Sequence, residues 1–471
     1  MIKCQAVRAV TQNYMNKRPF SVRHKVLQSA AARLAVGLLI ASAPSVLVAQ
    51  TYAPPTNGDY GGLGPFGVFT NGFTNPVYPT ATSGQTLTVS MYHPNATINP
   101  ALPTIFFAHG WTEPIGNAAD YSALMTNLAS QGYNVVFSPY EGGTSPNIAL
   151  RFDELTSGFE AAVTNYGLNT AEAGFAGHSY GGGFLPAVIL HEMMGKADKP
   201  FPLQPTNPGH TWGGTAAFFF SMAPGYAYDG SGDTSVSGSQ TILFPTNLNV
   251  IEQSFNDDQT FVDPRLAIDI FYNCTTLNAQ KDFLTVYGDN QGTPPQVANH
   301  FLPNTGSGVT STSLQAWAIF RHIDALAAYT FTGETNAQQI ALGHDAPAET
   351  YEGAWSDGTN VVPMGVTDLP SPAIYYPGPY VAGWTNLANP RQKFPLVSGP
   401  PQISSIRLMP GQAVLVVTGL LAGHSYVEQA NPDLTSGSWS NVVSFIPLQS
   451  TQTFTNAIGN SPGQFWRIFA P

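Results

Sequence analysis

The sequence has only two cysteines, few charged side chains and, after residue 50, no long apolar run. Each absence excludes something. The first fifty residues carry seven basic side chains (Lys3, Arg8, Lys17, Arg18, Arg23, Lys25, Arg33), no acid, and then the apolar stretch 34–48. This is the pattern of a secretory signal peptide, expected over residues 1–49. The cut is expected near Ala49, which puts Leu47 three positions before it. Pro44 and the shortness of the run set it apart from a membrane anchor, and no later segment is long and apolar enough to span a bilayer. The chain is therefore expected outside the cytoplasm: extracellular, periplasmic or held at the cell surface. Cys4 leaves with the leader, so Cys274 has no partner and an intramolecular disulfide is excluded. Beside Phe271 and Tyr272, Cys274 reads as a small buried residue rather than a nucleophile. Of 17 lysines and arginines, ten remain after the leader, against 28 acidic residues, a net charge of about −18. Nucleic acid and anionic membrane are excluded as partners.

What is present is a large apolar fraction, 43% of 471 residues, enough for several folding units with a substantial core. Residues 51–82 are rich in glycine, proline and aromatics and read as an ordered lead-in over a sheet edge, not a regular element. Beyond it, strands are expected at 86–92, 104–108, 134–138, 171–176, 215–222, 247–254 and 282–286. Helices are expected at 118–131, 150–165, 180–194 and 312–329. Strands alternating with helices predict a mostly parallel sheet covered on both faces, an α/β domain over residues 51–365. Residues 366–401 are dense in proline and read as a linker. Short strands at 403–408, 413–420, 425–429, 442–447 and 465–469 then predict a small all-β sandwich over residues 402–471.

The chemistry concentrates at Gly177-His178-Ser179-Tyr180-Gly181, which follows a strand and opens a helix through Gly182 and Gly183. This is the context of a nucleophile elbow, in which small residues allow a turn too tight for a Cβ and the serine is presented at the helix start. It predicts the α/β-hydrolase fold with Ser179 as nucleophile. The strand at 104–108 ends in His109-Gly110-Trp111-Thr112. The main-chain N–H groups of Trp111 and Tyr180 are the expected oxyanion hole, where losing one donor costs about 10²- to 10³-fold in rate. The base should follow a later strand, and His300 does. The orienting acid should follow the strand before that one, where Asp257 and Asp258 stand together; Asp258 is preferred. Among the other histidines, His178 is expected to point away from the site. Asp229-Gly230-Ser231-Gly232-Asp233 has a cation-loop spacing, but its twelfth position is Gln240, and it reads as a solvated turn. No metal and no cofactor are expected.

At these motifs the sequence resembles the bacterial cutinase-like polyesterases, the group that includes poly(ethylene terephthalate) hydrolases, and more broadly the dienelactone-hydrolase and chlorophyllase relatives. The likeness spans most of residues 64–329. It rests on Gly110-Trp111-Thr112, Ala129-Ser130-Gln131-Gly132-Tyr133, Gly177-His178-Ser179-Tyr180-Gly181-Gly182-Gly183, Met222-Ala223-Pro224, Phe271-Tyr272-Asn273, His300-Phe301-Leu302-Pro303-Asn304 and Ala316-Trp317. The resemblance implies a shallow cleft in which Trp111 and Tyr226 flank an ester. The chain departs from the family's pattern in having Tyr180 where methionine is usual, Gly225-Tyr226 where tryptophan is usual, no carboxyl-terminal disulfide, and an extra stretch at 333–363. The expected activity is secreted serine carboxylic ester hydrolysis through an acyl-enzyme on Ser179, extending to polyesters, by a monomer. The alternatives are a lipase, lactone or chlorophyllase-like hydrolase, and a non-catalytic surface-binding protein on the same fold. The last seventy residues loosely resemble β modules that end secreted bacterial proteins, with a role in attachment or sorting.

Overall fold

The computed structural model describes residues 50–143, 148–195, 211–225, 245, 247–258, 261–262, 264–273, 276–305, 312–370, 402–409, 411–418, 420, 426–431, 439–445, 451–457 and 465–469. The leader, Tyr226, Cys274, the 229–233 turn and residues 371–401 lie outside the described residues.

Among the described residues, nine strands form one sheet: β1 Phe69–Thr74, β2 Thr88–His93, β3 Pro103–Ala108, β4 Asn134–Phe137, β5 Asn169–His178, β6 Ala216–Met222, β7 Leu248–Phe255, β8 Lys281–Val286 and β9 Gly365–Thr367. Their order is β1-β2-β4-β3-β5-β6-β7-β8-β9. The run from β4 to β8 is parallel, while β1, β2 and β9 are antiparallel to their neighbours at the two edges. The chain crosses from β3 out to β4 and returns over β3 to β5, so the direction of winding reverses between β3 and β5. Crevices for ligands form at the carboxyl ends of strands at such a reversal.

The strand sequences are apolar on both faces because both faces are covered. Alternate residues of one strand enter different cores: Ile105 and Phe107 pack with Tyr121, Leu124 and Leu326, whereas Phe106 and Ala108 pack with Phe152, Phe184 and Val188. Helices α1 Ser122–Ser130, α2 Ile148–Tyr166, α3 Tyr180–Val188, α4 Arg265–Asn273, α5 Thr312–Gln315 and α6 Arg321–Thr332 supply these covers. Two predicted helices are interrupted by a single π turn, Ile189–Met193 after α3 and Ala316–Phe320 between α5 and α6. Pro186, which has no N–H for the regular ladder, lies within α3 three residues before the first of these turns.

Two edge strands depart from the sequence expectation. Residues 51–82 are not wholly irregular but contribute β1, and the sheet takes a last strand from residues 365–367, at and beyond the predicted domain boundary. The lead-in is also tied to the far end of this region: Tyr52 bridges Trp355 with ring centroids 5.4 Å apart, and Thr51 and Ser356 exchange hydrogen bonds.

After residue 401 the described residues form two three-stranded antiparallel sheets. One is β10 Gln402–Met409, β11 Gln412–Thr418 and β14 Thr451–Ala457; the other is β12 Tyr426–Asn431, β13 Ser440–Phe445 and β15 Phe465–Phe469. Leu415, Val417 and Phe454 of the first share an apolar cluster with Tyr426, Phe445 and Trp466 of the second. β14 was not expected. No helix among the described residues is long and apolar enough to cross a membrane.

Candidate active site

Strand β5 runs without a break into Ser179, which caps α3 at φ 55° and ψ −122°. A left-handed φ is costly for a residue with a Cβ and persists only where the surroundings impose it. Here the imposing contacts are main-chain bonds: the Ser179 N–H donates to Met222 O (2.8 Å), and Ser179 O accepts from Gly183 (3.0 Å) and Gly225 (2.8 Å). Gly181 must be glycine, because a Cβ there would lie 2.3 Å from the carbonyl oxygens of Ala108 and His109. Strand, turn and helix are thus packed against the end of β3 with no room for a side chain.

Three of the predicted residues come together. His300 Nδ1 donates to Asp258 Oδ2 at 2.5 Å, and its Nε2 lies 2.8 Å from Ser179 Oγ. With the proton of Nδ1 committed to a carboxylate, Nε2 carries the lone pair and Ser179 donates to it. All three side chains are buried. Asp258 Oδ1 also accepts from the Phe261 N–H (3.2 Å), fixing the carboxylate by a second bond. Asp257 faces elsewhere: its Oδ2 accepts from the Ala298 N–H at 2.9 Å and its own N–H donates to Ala298 O.

The loop after β3 passes directly over the serine, since a Cβ on Gly110 would stand 3.2 Å from Ser179 Cβ. Trp111 follows, 41% exposed, with its indole perpendicular to the Tyr180 ring at 5.3 Å. Tyr180 is the first residue of α3, where main-chain N–H groups point out of the helix toward its positive end. Tyr226, the other residue expected to flank an ester, lies outside the described residues.

Four residues near the site have no role assigned from the sequence. Arg151, on α2 and only 4% exposed, holds its guanidinium 4.2 Å over the Trp111 ring, donates to the Tyr180 hydroxyl at 3.0 Å and also donates to Gly143 O. Phe261 stacks on the His300 ring at 5.0 Å, and Phe301 meets both rings edge-on. Both phenylalanines are nearly half exposed, 47% and 45%, so with Trp111 they make an apolar rim. The fourth is Tyr121, whose hydroxyl lies 2.8 Å from His178 Nδ1. His178, expected to point away from the site, is buried beside the base: its Nε2 is 2.8 Å from the backbone oxygen of His300, and the two rings are 4.8 Å apart. Burial pushes the His178 pKa well below the ordinary imidazole value, so the ring is neutral.

Metal-ligating residue types also meet away from the serine, where Glu160 of α2 and His191 and Glu192 of the following π turn each place one ligand atom within 4.8 Å of the others. His191 Nδ1 and Glu192 Oε1 are 3.3 Å apart.

No family model matches the chain, and no curated protein does.

Proposed function

We propose that this chain is an exported serine carboxylic ester hydrolase with the α/β-hydrolase fold, acting through an acyl-enzyme on Ser179. The observation that carries the reading is the hydrogen-bonded line Asp258–His300–Ser179 at 2.5 and 2.8 Å, ending on a serine held at positive φ. A weak nucleophile needs an adjacent base and an orienting third group, and this line supplies both.

Ser179 Oγ attacks the ester carbonyl carbon while His300 Nε2 takes the hydroxyl proton. The tetrahedral oxyanion is received by the Trp111 and Tyr180 main-chain N–H groups. His300 then returns its proton to the leaving alkoxide, so an alcohol departs and the acyl group stays on Ser179. Water enters, gives a proton to Nε2 and attacks the acyl carbon; collapse restores Ser179 and releases the acid. Asp258 keeps Nδ1 protonated throughout and stabilises the imidazolium formed in each half.

The rim of Trp111, Phe261 and Phe301 favours a flat or apolar acyl group lying across the mouth rather than a deeply enclosed one. The resemblance to cutinase-like polyesterases extends the substrate class to polymeric esters.

The test uses a fluorophosphonate probe and a short nitrophenyl ester. The expected result is rapid labelling at Ser179 and hydrolysis that Ser179→Ala reduces by about 10³-fold or more. A folded wild-type protein that neither labels nor turns over ester would overturn the proposal in favour of a non-catalytic binding role. A panel of soluble esters, triglycerides and polyester films then fixes the substrate.

A further inference from the structure

The hydrogen bonds of the Ser–His–Asp group do not stop at Asp258. Behind His300 a second line begins at its main chain, where His300 O lies 2.8 Å from His178 Nε2. It continues from His178 Nδ1 to the Tyr121 hydroxyl (2.8 Å) and from that hydroxyl to the Gly110 N–H (2.9 Å). Every proton in this line has a defined place. A carbonyl oxygen only accepts, so His178 Nε2 carries the hydrogen. The ring is neutral in its buried setting, so Nδ1 carries the lone pair and the Tyr121 O–H donates to it. The Tyr121 oxygen in turn accepts the Gly110 N–H. Both side chains are buried, which strengthens such bonds and makes an unpaired member costly.

The two ends of the line are the two halves of the proposed machinery. Gly110 precedes Trp111, the assigned oxyanion donor, and His300 is the assigned base. The line passes through His178, the residue immediately before the nucleophile. The strand β5 therefore carries Ser179 toward the substrate side while its neighbour reaches back to hold both flanking loops.

We infer that His178 and Tyr121 are positioning residues for the reaction of Ser179: a strut that fixes the main chain of the base and the oxyanion loop at a set separation. The inference rests on the proposed esterase reading. A strut of this kind acts on the chemical step and not on ground-state substrate affinity, because neither side chain reaches the open cleft. A displacement of about 1 Å in either wall would cost up to about 10²-fold in rate.

Three variants test it on the nitrophenyl ester. His178→Met fills the space without polar atoms, His178→Gln keeps an N–H at the position of Nε2, and Tyr121→Phe removes the donor to Nδ1 and the acceptor for Gly110. The strut predicts that His178→Met lowers kcat by about 10-fold or more with KM within about 2-fold, and that His178→Gln recovers most of the loss. It also predicts that His178→Met combined with Tyr121→Phe costs no more than the worse single change, since each breaks the same line. Thermal melts establish that each variant is folded. Folded His178→Met or Tyr121→Phe with wild-type kcat, or His178→Gln no better than His178→Met, would overturn the strut. If His178→Met does not fold, Tyr121→Phe alone decides it on the same kcat criterion. An inactive wild-type enzyme would instead overturn the esterase reading, so the two failures are distinct.

Discussion

Asp257 and Asp258 are neighbours in the chain and hold different parts of the same loop: Asp258 accepts from the His300 ring at 2.5 Å, and Asp257 accepts from the Ala298 N–H at 2.9 Å. In the proposed reaction the first bond concerns a proton that must stay in place; the second pins the backbone two residues before His300. Asp258→Asn is expected to lower kcat by about 10³- to 10⁴-fold, because an amide can present the wrong partner to Nδ1 and reverse the tautomer. Asp257→Asn is expected to stay within about 10-fold in kcat and to lose about 1 kcal/mol or less of stability in urea unfolding, because the residue is exposed and an amide oxygen can still accept the Ala298 N–H. The opposite pattern would move the acid to Asp257.

Arg151 stands 4.2 Å over the Trp111 ring and at the same time bonds the Tyr180 hydroxyl and Gly143 O. Only a planar, forked cation does all three, so lysine is not a conservative replacement. Arg151→Lys is expected to release the Trp111 indole, lower kcat/KM by about 10-fold and change tryptophan fluorescence, through loss of stacking worth about 0.5–2 kcal/mol. Unchanged kcat/KM and emission would separate Arg151 from the oxyanion loop.

Burial pushes the Asp324 carboxyl, which accepts from the Gly61 N–H at 2.9 Å, up to about 8 from an ordinary 3.8. A raised folded pKa means that the folded state keeps a proton the unfolded chain has lost. The contribution is full below about 3.8 and disappears as pH rises through about 8. The excess in melting temperature of wild type over Asp324→Asn should therefore shrink between pH 6 and pH 9. A constant difference over that range would show that Asp324 does not titrate there. On the acid side, burial depresses His109 to about 4 and His322 to about 3, so their contributions stand above about 6.5 and are lost as pH falls.

The parallel core and the Ser–His–Asp group are legible in the sequence for different reasons. The core strands announce themselves because apolar residues fill both faces, and the elbow because its steric demand leaves few residue choices at Gly177 and Gly181. The edge strands are not legible in this way. β1 reads Phe-Thr-Asn-Gly-Phe-Thr and is largely exposed, β9 has three residues just after Pro363, and β14 buries little beyond Phe454. Their pairing comes from a neighbouring edge in need of partners, which is a tertiary fact. Arg151 is invisible for the same reason: on an amphipathic helix an arginine reads as solvated, and only the packing of α2 under Trp111 buries it. His178 shows the limit of motif reading. Its place beside the serine is spelled in the sequence, but its hydrogen-bond partners are set by residues 57 and 122 positions away.

The bridge between Tyr52 and Trp355 spans about 300 residues of chain. On a ribosome, which emits the polypeptide from its amino end, residues 51 and 52 have no seat until residues 355 and 356 have emerged. The ribbon at residues 51 and 52 thus waits for a partner made about 300 residues later. Such a long-range closure is a slow event in assembly, and a chain shortened to begin at Ala53 would leave the Trp355 ring without its cover from the start.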